Sequence, residues 1–280
     1  MNSDQIPVEI QDLMLSSDSN DSAMKANNSL NNESSDDYSL PWIIELCKDN
    51  ILNEEPLPIQ IQSLQLLCSV VGKCFQKSYF IHNYFFTLIE DIVFFCLNDQ
   101  DISIQLHGAK LLDIVGRSVN IVTDVEFRKA LESAVSILWW NILMGTAFLK
   151  CLTNDDAKTL QFVCCDCLST LPCSGFEKLP PRSQITYLTI LLGLTSDSNP
   201  NVRGAAIRCL GLYCLFPSLI QDASFLEDVS SILIKSVDDS NVNVRFKASW
   251  SLGNLCDALF VNKDEILRNE AISPTFFFIQ

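Results

Sequence analysis

DSNPNVRGAAIRCLGLY, residues 197–213, and DSNVNVRFKASWSLGNL, residues 239–255, align without a gap at an offset of 42, with nine of 17 positions identical. Each stretch opens on a polar turn. It then sets an aliphatic, a small and an aliphatic residue four apart: Val202, Ala206, Leu210 and Val244, Ala248, Leu252. Residues at i, i+4 and i+8 share one face of a helix, and a small residue in the middle lets a neighbouring helix approach closely. Asn199 before Pro200 reads as an N-cap followed by proline at the first helical position. A period in the forties leaves room for a second helix, so the repeat is a helix pair that cannot bury its apolar stripe alone.

With an acidic residue five positions ahead, the same template recurs at Asp155, Leu160, Cys164, Leu168, at Asp99, Ile104, Gly108, Leu112, and more weakly at Glu54, Ile59, Ser63, Leu67. The aliphatic starts at 59, 104, 160, 202 and 244 are separated by 45, 56, 42 and 42 residues. The long interval implies an insertion, expected around Gly116–Val125. Capping-box spacing at Thr123–Glu126 and Ser224–Glu227 marks starts of the partner helices, and Asn262–Glu265 marks a further one. Pro217 is expected to close the fourth template helix. No alternating strands separated by hairpin turns are found. The expectation is all-α: a HEAT/armadillo-like α-solenoid of about five helix pairs, a right-handed stack with a curved face.

The chain of 280 residues carries 34 acidic and 19 basic residues, a formal charge of −15. Residues 1–38 hold eight acids against Lys25, and the other 242 residues hold 26 acids and 18 bases. The leader, rich in Ser, Asn and Asp, offers too little apolar surface to offset its ordering entropy, so 1–38 is expected to be a disordered acidic tail. Its apolar stretch Ile6–Leu15 has the make-up of a short amphipathic helix. Residues 39–270 form the expected solenoid, and 271–280, AISPTFFFIQ, an apolar end. A solenoid needs polar caps for solubility, so that end reads as a cut through a longer array. Without clustered Lys or Arg, nucleic-acid binding is not expected.

The chain has 12 cysteines, most of them inside apolar runs where free Cys packs as a small hydrophobe. The acidic start lacks the pattern of a secretory signal, so an intracellular, cytoplasmic or nuclear protein with reduced thiols is expected. The uncharged run Ser133–Leu149, of 17 residues, is interrupted by Asn141 and reads as a buried helix rather than a membrane span. Cys164, Cys165 and Cys167 overlap as CxxC and CxC with Cys151 and Cys173 nearby, a spacing zinc can use. Cys164, however, holds the small core position of the template. Neither histidine, His82 or His107, sits beside a nucleophile in a recognisable motif, and GxSxG, HExxH and phosphate-binding glycine loops are absent. Asp155–Asp156 and Asp238–Asp239 precede helices, where the positive helix end favours them. The chain is read as a non-enzyme, with no cofactor, metal or small-molecule substrate.

SIQLHGAKLL (103–112), ITYLTILLGL (185–194), LGLYCLFP (210–217) and NVRFKASWSLGNLCDAL (243–259) resemble HEAT repeat-containing protein 6, and PWIIELC (41–47) and PIQIQSLQLL (58–67) fit the same family in the same order. The resemblance covers about residues 39–263, the middle of that longer family with its domain of unknown function, and implies a eukaryotic solenoid without catalytic residues. In HEAT repeats the turn aspartate and early helix arginine commonly ladder adjacent units. This implies a structural role for Asp197, Arg203, Asp239 and Arg245. Gln60, Gln105 and Gln161 hold the arginine position earlier, so a charged ladder is expected in the last two units only. Trp250 and Asn254, one turn apart, resemble the peptide-clamping pairs of armadillo transport adaptors. The equivalent positions Arg208/Leu212, Asp166/Thr170, Lys110/Ile114 and Gln65/Ser69 do not repeat the pair. The leading expectation is a scaffold for protein–protein interaction with a basic partner. The alternative is a transport-adaptor-like solenoid that binds basic peptides through the Trp250/Asn254 face.

Overall fold

A computed structural model describes residues 39–53, 55–74 and 83–261. The 1–38 tail, Glu54, His82, the Asn262–Glu265 helix start and the 271–280 end lie outside the described residues. Among those described there are 13 helices and no strand: α1 (Ser39–Leu52), α2 (Leu57–Cys74), α3 (Asn83–Asn98), α4 (Ile102–Ile121), α5 (Val125–Met144), α6 (Ala147–Leu152), α7 (Lys158–Leu168), α8 (Cys173–Lys178), α9 (Pro181–Leu194), α10 (Pro200–Tyr213), α11 (Pro217–Ile220), α12 (Ala223–Ser236) and α13 (Val242–Val261). The described part of the chain is all-α. The five copies of the template fall on α2, α4, α7, α10 and α13. Their small middle residues Ser63, Gly108, Cys164, Ala206 and Ala248 are all buried.

The helices divide into two compact units after Ser118, within α4. In the first, α1 packs on α2 and α3. A methyl group on Gly108 would overlap Cys96, so α4 lies against α3 with nothing between the backbones. In the second unit the template helices stand side by side, α10 between α7 and α13, with α9 and α12 packed behind. Contact is again close, since a Cβ on Gly211 would come within 2.9 Å of Ser251 Cα. Helix-end carbonyls that lack an intrahelical donor are met from the next repeat. Tyr187 donates to Leu143 O at 3.0 Å and Tyr213 to Leu168 O at 3.1 Å.

Local expectations need three corrections. Gly116 lies inside α4, and the extra length of the long interval is the 20-residue α5 and the short α6. The N-caps of α5 and α12 are Asp124 and Asp222, which accept from Phe127 N at 2.7 Å and Phe225 N at 3.0 Å, rather than Thr123 and Ser224. Pro217 opens α11, while α10 has already ended at Tyr213. Asn199 caps α10 by accepting from Asn201 N at 2.9 Å, with Pro200 at the first helical position.

Candidate interaction face on the template helices

The turn before α4, α7, α10 and α13 is closed by the residue that follows the aliphatic start. Gln105 Nε2 donates to Asp99 O at 2.7 Å, Arg203 Nη1 to Asp197 O at 2.8 Å and Arg245 Nη1 to Asp239 O at 2.8 Å, always six residues back. Gln161 Nε2 reaches Leu152 O at 3.1 Å and the Asp155 carboxylate at 3.4 Å. A long side chain with N–H donors is therefore needed here whether or not it is charged. Arginine adds a second edge. Arg203 Nε and Nη2 donate to the two carboxylate oxygens of Asp239 at 3.0 and 2.9 Å, a bidentate fork between α10 and the turn before α13. These hydrogen bonds hold the Asp239 carboxyl below the usual carboxylate range.

Asp197 meets Lys158 rather than an arginine, Nζ to Oδ2 at 2.7 Å, and Lys158 also reaches Asp155 at 3.0 Å. The Asp197 hydrogen bond leads in raising the Lys158 pKa, and Lys158 in turn leads in lowering that of Asp155. Sequence reading missed this rung because Lys158 stands three residues ahead of the template's arginine position. Among the described residues, the Arg245 side chain hydrogen-bonds only to the carbonyls of Asp239 and Ser240.

Trp250 and Asn254 lie one turn apart on α13. Trp250 is 44% exposed, and the buried Asn254 Nδ2 has no hydrogen-bond partner among the described residues. At the position equivalent to Trp250 in the two preceding units stand Arg208 and Asp166, which pair with each other: Nη1 to Oδ1, 3.3 Å, with Ser169 Oγ at 2.7 Å. The face thus changes character from unit to unit.

Chemistry is sparse elsewhere. Cys164, Cys165 and Cys167 are buried, and desolvation raises the Cys164 and Cys165 thiols well above their ordinary range. Burial lifts Cys151 to about 11 and Cys214 to about 12. Such thiols stay protonated and are poor nucleophiles. Among the described residues no group of three or more His, Cys, Asp or Glu is placed to hold a metal ion. His107 Nδ1 lies 2.7 Å from Ser103 O and its Nε2 3.4 Å from Gln65 Nε2, with no nucleophile at either nitrogen. No described helix is long and apolar enough to cross a membrane.

Residues 188–216 match the HEAT repeat family. They run from the second half of α9 through α10 to Phe216. An uncharacterised protein of Dictyostelium discoideum is 37% identical over 150 residues, which are 53% of this chain and 9% of that protein. Among solved structures, an engineered protein superposes with a TM-score of 0.54 at 14% identity, covering 90% of this chain and 100% of its own. A second engineered protein gives 0.53 at 16% identity over 92% and 98% of the two chains. A designed armadillo repeat protein in complex with a (KR)4 peptide gives 0.51 at 12% identity over 90% and 99%. These likenesses establish the repeat fold.

Proposed function

We propose that the chain is a non-enzymatic HEAT-repeat scaffold that binds a protein partner across α7, α10 and α13, and that its stretches at 103–112 and 243–259 place it with HEAT repeat-containing protein 6. The carrying observation is Asn254: an amide donor buried without an acceptor among the described residues, one turn from a half-exposed Trp250. Leaving such a donor unsatisfied costs about 1–3 kcal/mol, and a partner's backbone carbonyl would recover that. Reduced thiols fit an intracellular setting. The formal charge of −15 draws a basic partner over long range. Affinity capture with the whole chain at low and high salt tests the charge element. Partners should be basic and fall away as salt rises, and equal recovery at both salts rejects it.

The second reading is an adaptor for basic peptides through Trp250 and Asn254, supported by the fold shared with a designed protein that holds (KR)4. A Trp250→Ala, Asn254→Ala double variant should lose such binding, and unchanged affinity excludes this mode.

A further inference from the structure

The offset of 42 places Phe162, Gly204 and Phe246 at one structural position on α7, α10 and α13. Where its neighbours carry phenyl rings, the middle unit carries a hydrogen atom. The result is a cleft of about 150 Å³ lined by Phe162, Gly204, Phe246 and Lys247, with Asn201 and Asn243 at its rim. Phe246 is 74% exposed although nothing in packing requires an aromatic there. A cleft of this volume has room for one side chain.

Its charge is set by Lys247. The ammonium lies 5.6 Å from the centroid of the Phe162 ring and makes no ion pair or hydrogen bond to a carboxylate among the described residues. The carboxylate that acts on it, Asp166, is engaged by Arg208. Burial lowers the Lys247 pKa, with Asp166 acting in the opposite sense. The first turns of α10 and α13 add the positive ends of two helices. In a chain of formal charge −15, this face is locally cationic and aromatic.

We propose that the Gly204 cleft receives a glutamate side chain from an acidic segment of a partner protein, its methylenes between Phe162 and Phe246 and its carboxylate on Lys247. A carboxylate meets the unpaired ammonium, and five heavy atoms beyond Cα suit the volume. A lysine or arginine would bring like charge to Lys247. This rests on the scaffold reading but not on Trp250 and Asn254.

The test is fluorescence anisotropy on the whole chain with labelled (Leu-Glu)4, (Leu-Gln)4 and (Lys-Arg)4. About 0.15 M salt confines long-range repulsion to roughly 8 Å. (Leu-Glu)4 should bind at least tenfold tighter than (Leu-Gln)4. Lys247→Met should erase that difference, and Gly204→Leu should weaken (Leu-Glu)4 at least tenfold. The nearest atom to a Cβ at residue 204 is Lys247 Cδ at 3.1 Å, the end of a flexible stem, so the filled variant can fold. Phe246→Ser alters only an exposed wall and should weaken the same peptide. Equal affinity for the Glu and Gln peptides, (Lys-Arg)4 binding that Gly204→Leu removes, or affinity indifferent to all three substitutions overturns the proposal. If a captured partner is lost with Trp250→Ala, Asn254→Ala yet kept with Lys247→Met, the scaffold reading stands and the cleft does not.

Discussion

Arg203 carries more hydrogen bonds than its neighbours on this face: two carbonyls in its own turn, at 2.8 and 3.0 Å, and both oxygens of Asp239. Its side chain is 16% exposed and that of Asp239 15%. Breaking one partner of such a pair leaves a poorly hydrated charge. Arg203→Met should therefore cost about 2–4 kcal/mol in thermal or denaturant unfolding. Arg203→Lys should recover only part of this, because an ammonium cannot fork across a carboxylate and two carbonyls at once. The pH dependence has a definite sign. The folded Asp239 carboxyl titrates below its unfolded value, so its contribution is full above the unfolded pKa and disappears as pH falls through the folded one. The stability gap between wild type and Asp239→Asn should be constant above about pH 5 and narrow below about pH 4. A gap that widens in acid would show that Arg203 does not hold the ionised carboxylate.

Between elements, glycines separate close approach from mere permissiveness. Gly211 on α10 would put a Cβ within 2.9 Å of the Ser251 backbone, and Ser251 Oγ donates across the same contact to Ile207 O at 3.2 Å. Gly211→Ala should destabilise by about 1–3 kcal/mol as α13 is pushed away. Gly193 on α9 meets nothing within 4 Å, so Gly193→Ala should stabilise by about 0.5–1 kcal/mol through helix propensity. If calorimetry ranks the two alike, the Gly211 contact is not what sets the spacing. This level of structure was readable in advance because the small residue in the template is a packing requirement written into sequence at fixed spacing. The extra helix α6 was not readable, since AFLKCL continues the apolar run of α5 without a change of period. The caps at Asp124 and Asp222 were missed because the capping-box pattern points to Thr123 and Ser224, whereas these aspartates cap alone, with Phe127 and Phe225 rather than a glutamate three residues on. The Lys158 rung was hidden because a flexible side chain reached an aspartate 39 residues on from a position the template does not mark. The Gly204 cleft was in plain sight as Phe, Gly, Phe at one register position. Reading it as a cleft needed the helices to be side by side.

At the scale of the molecule, stability follows from the order of contacts. Residues 39–118 and the helices after Ser118 form separate compact units, and within the second α10 touches α7, α9, α12 and α13. In a repeat stack, stability is close to a sum of unit terms and nearest-neighbour interfaces, so a local defect should remain local. Charge follows the same division, since nearly half the net negative charge belongs to residues 1–38 and the rest is spread over the repeats. Amide hydrogen exchange on the whole chain reads this directly, because it reports the opening energy of each segment. Arg203→Met removes the fork between α10 and the turn before α13. Its amides in α10 and α13 should exchange faster by about the ratio set by the lost free energy, roughly tenfold per 1.4 kcal/mol, while those of α1–α3 keep wild-type rates. Uniform acceleration in both units would instead mean that the chain opens as a single cooperative block, and the nearest-neighbour account of the array would then be wrong.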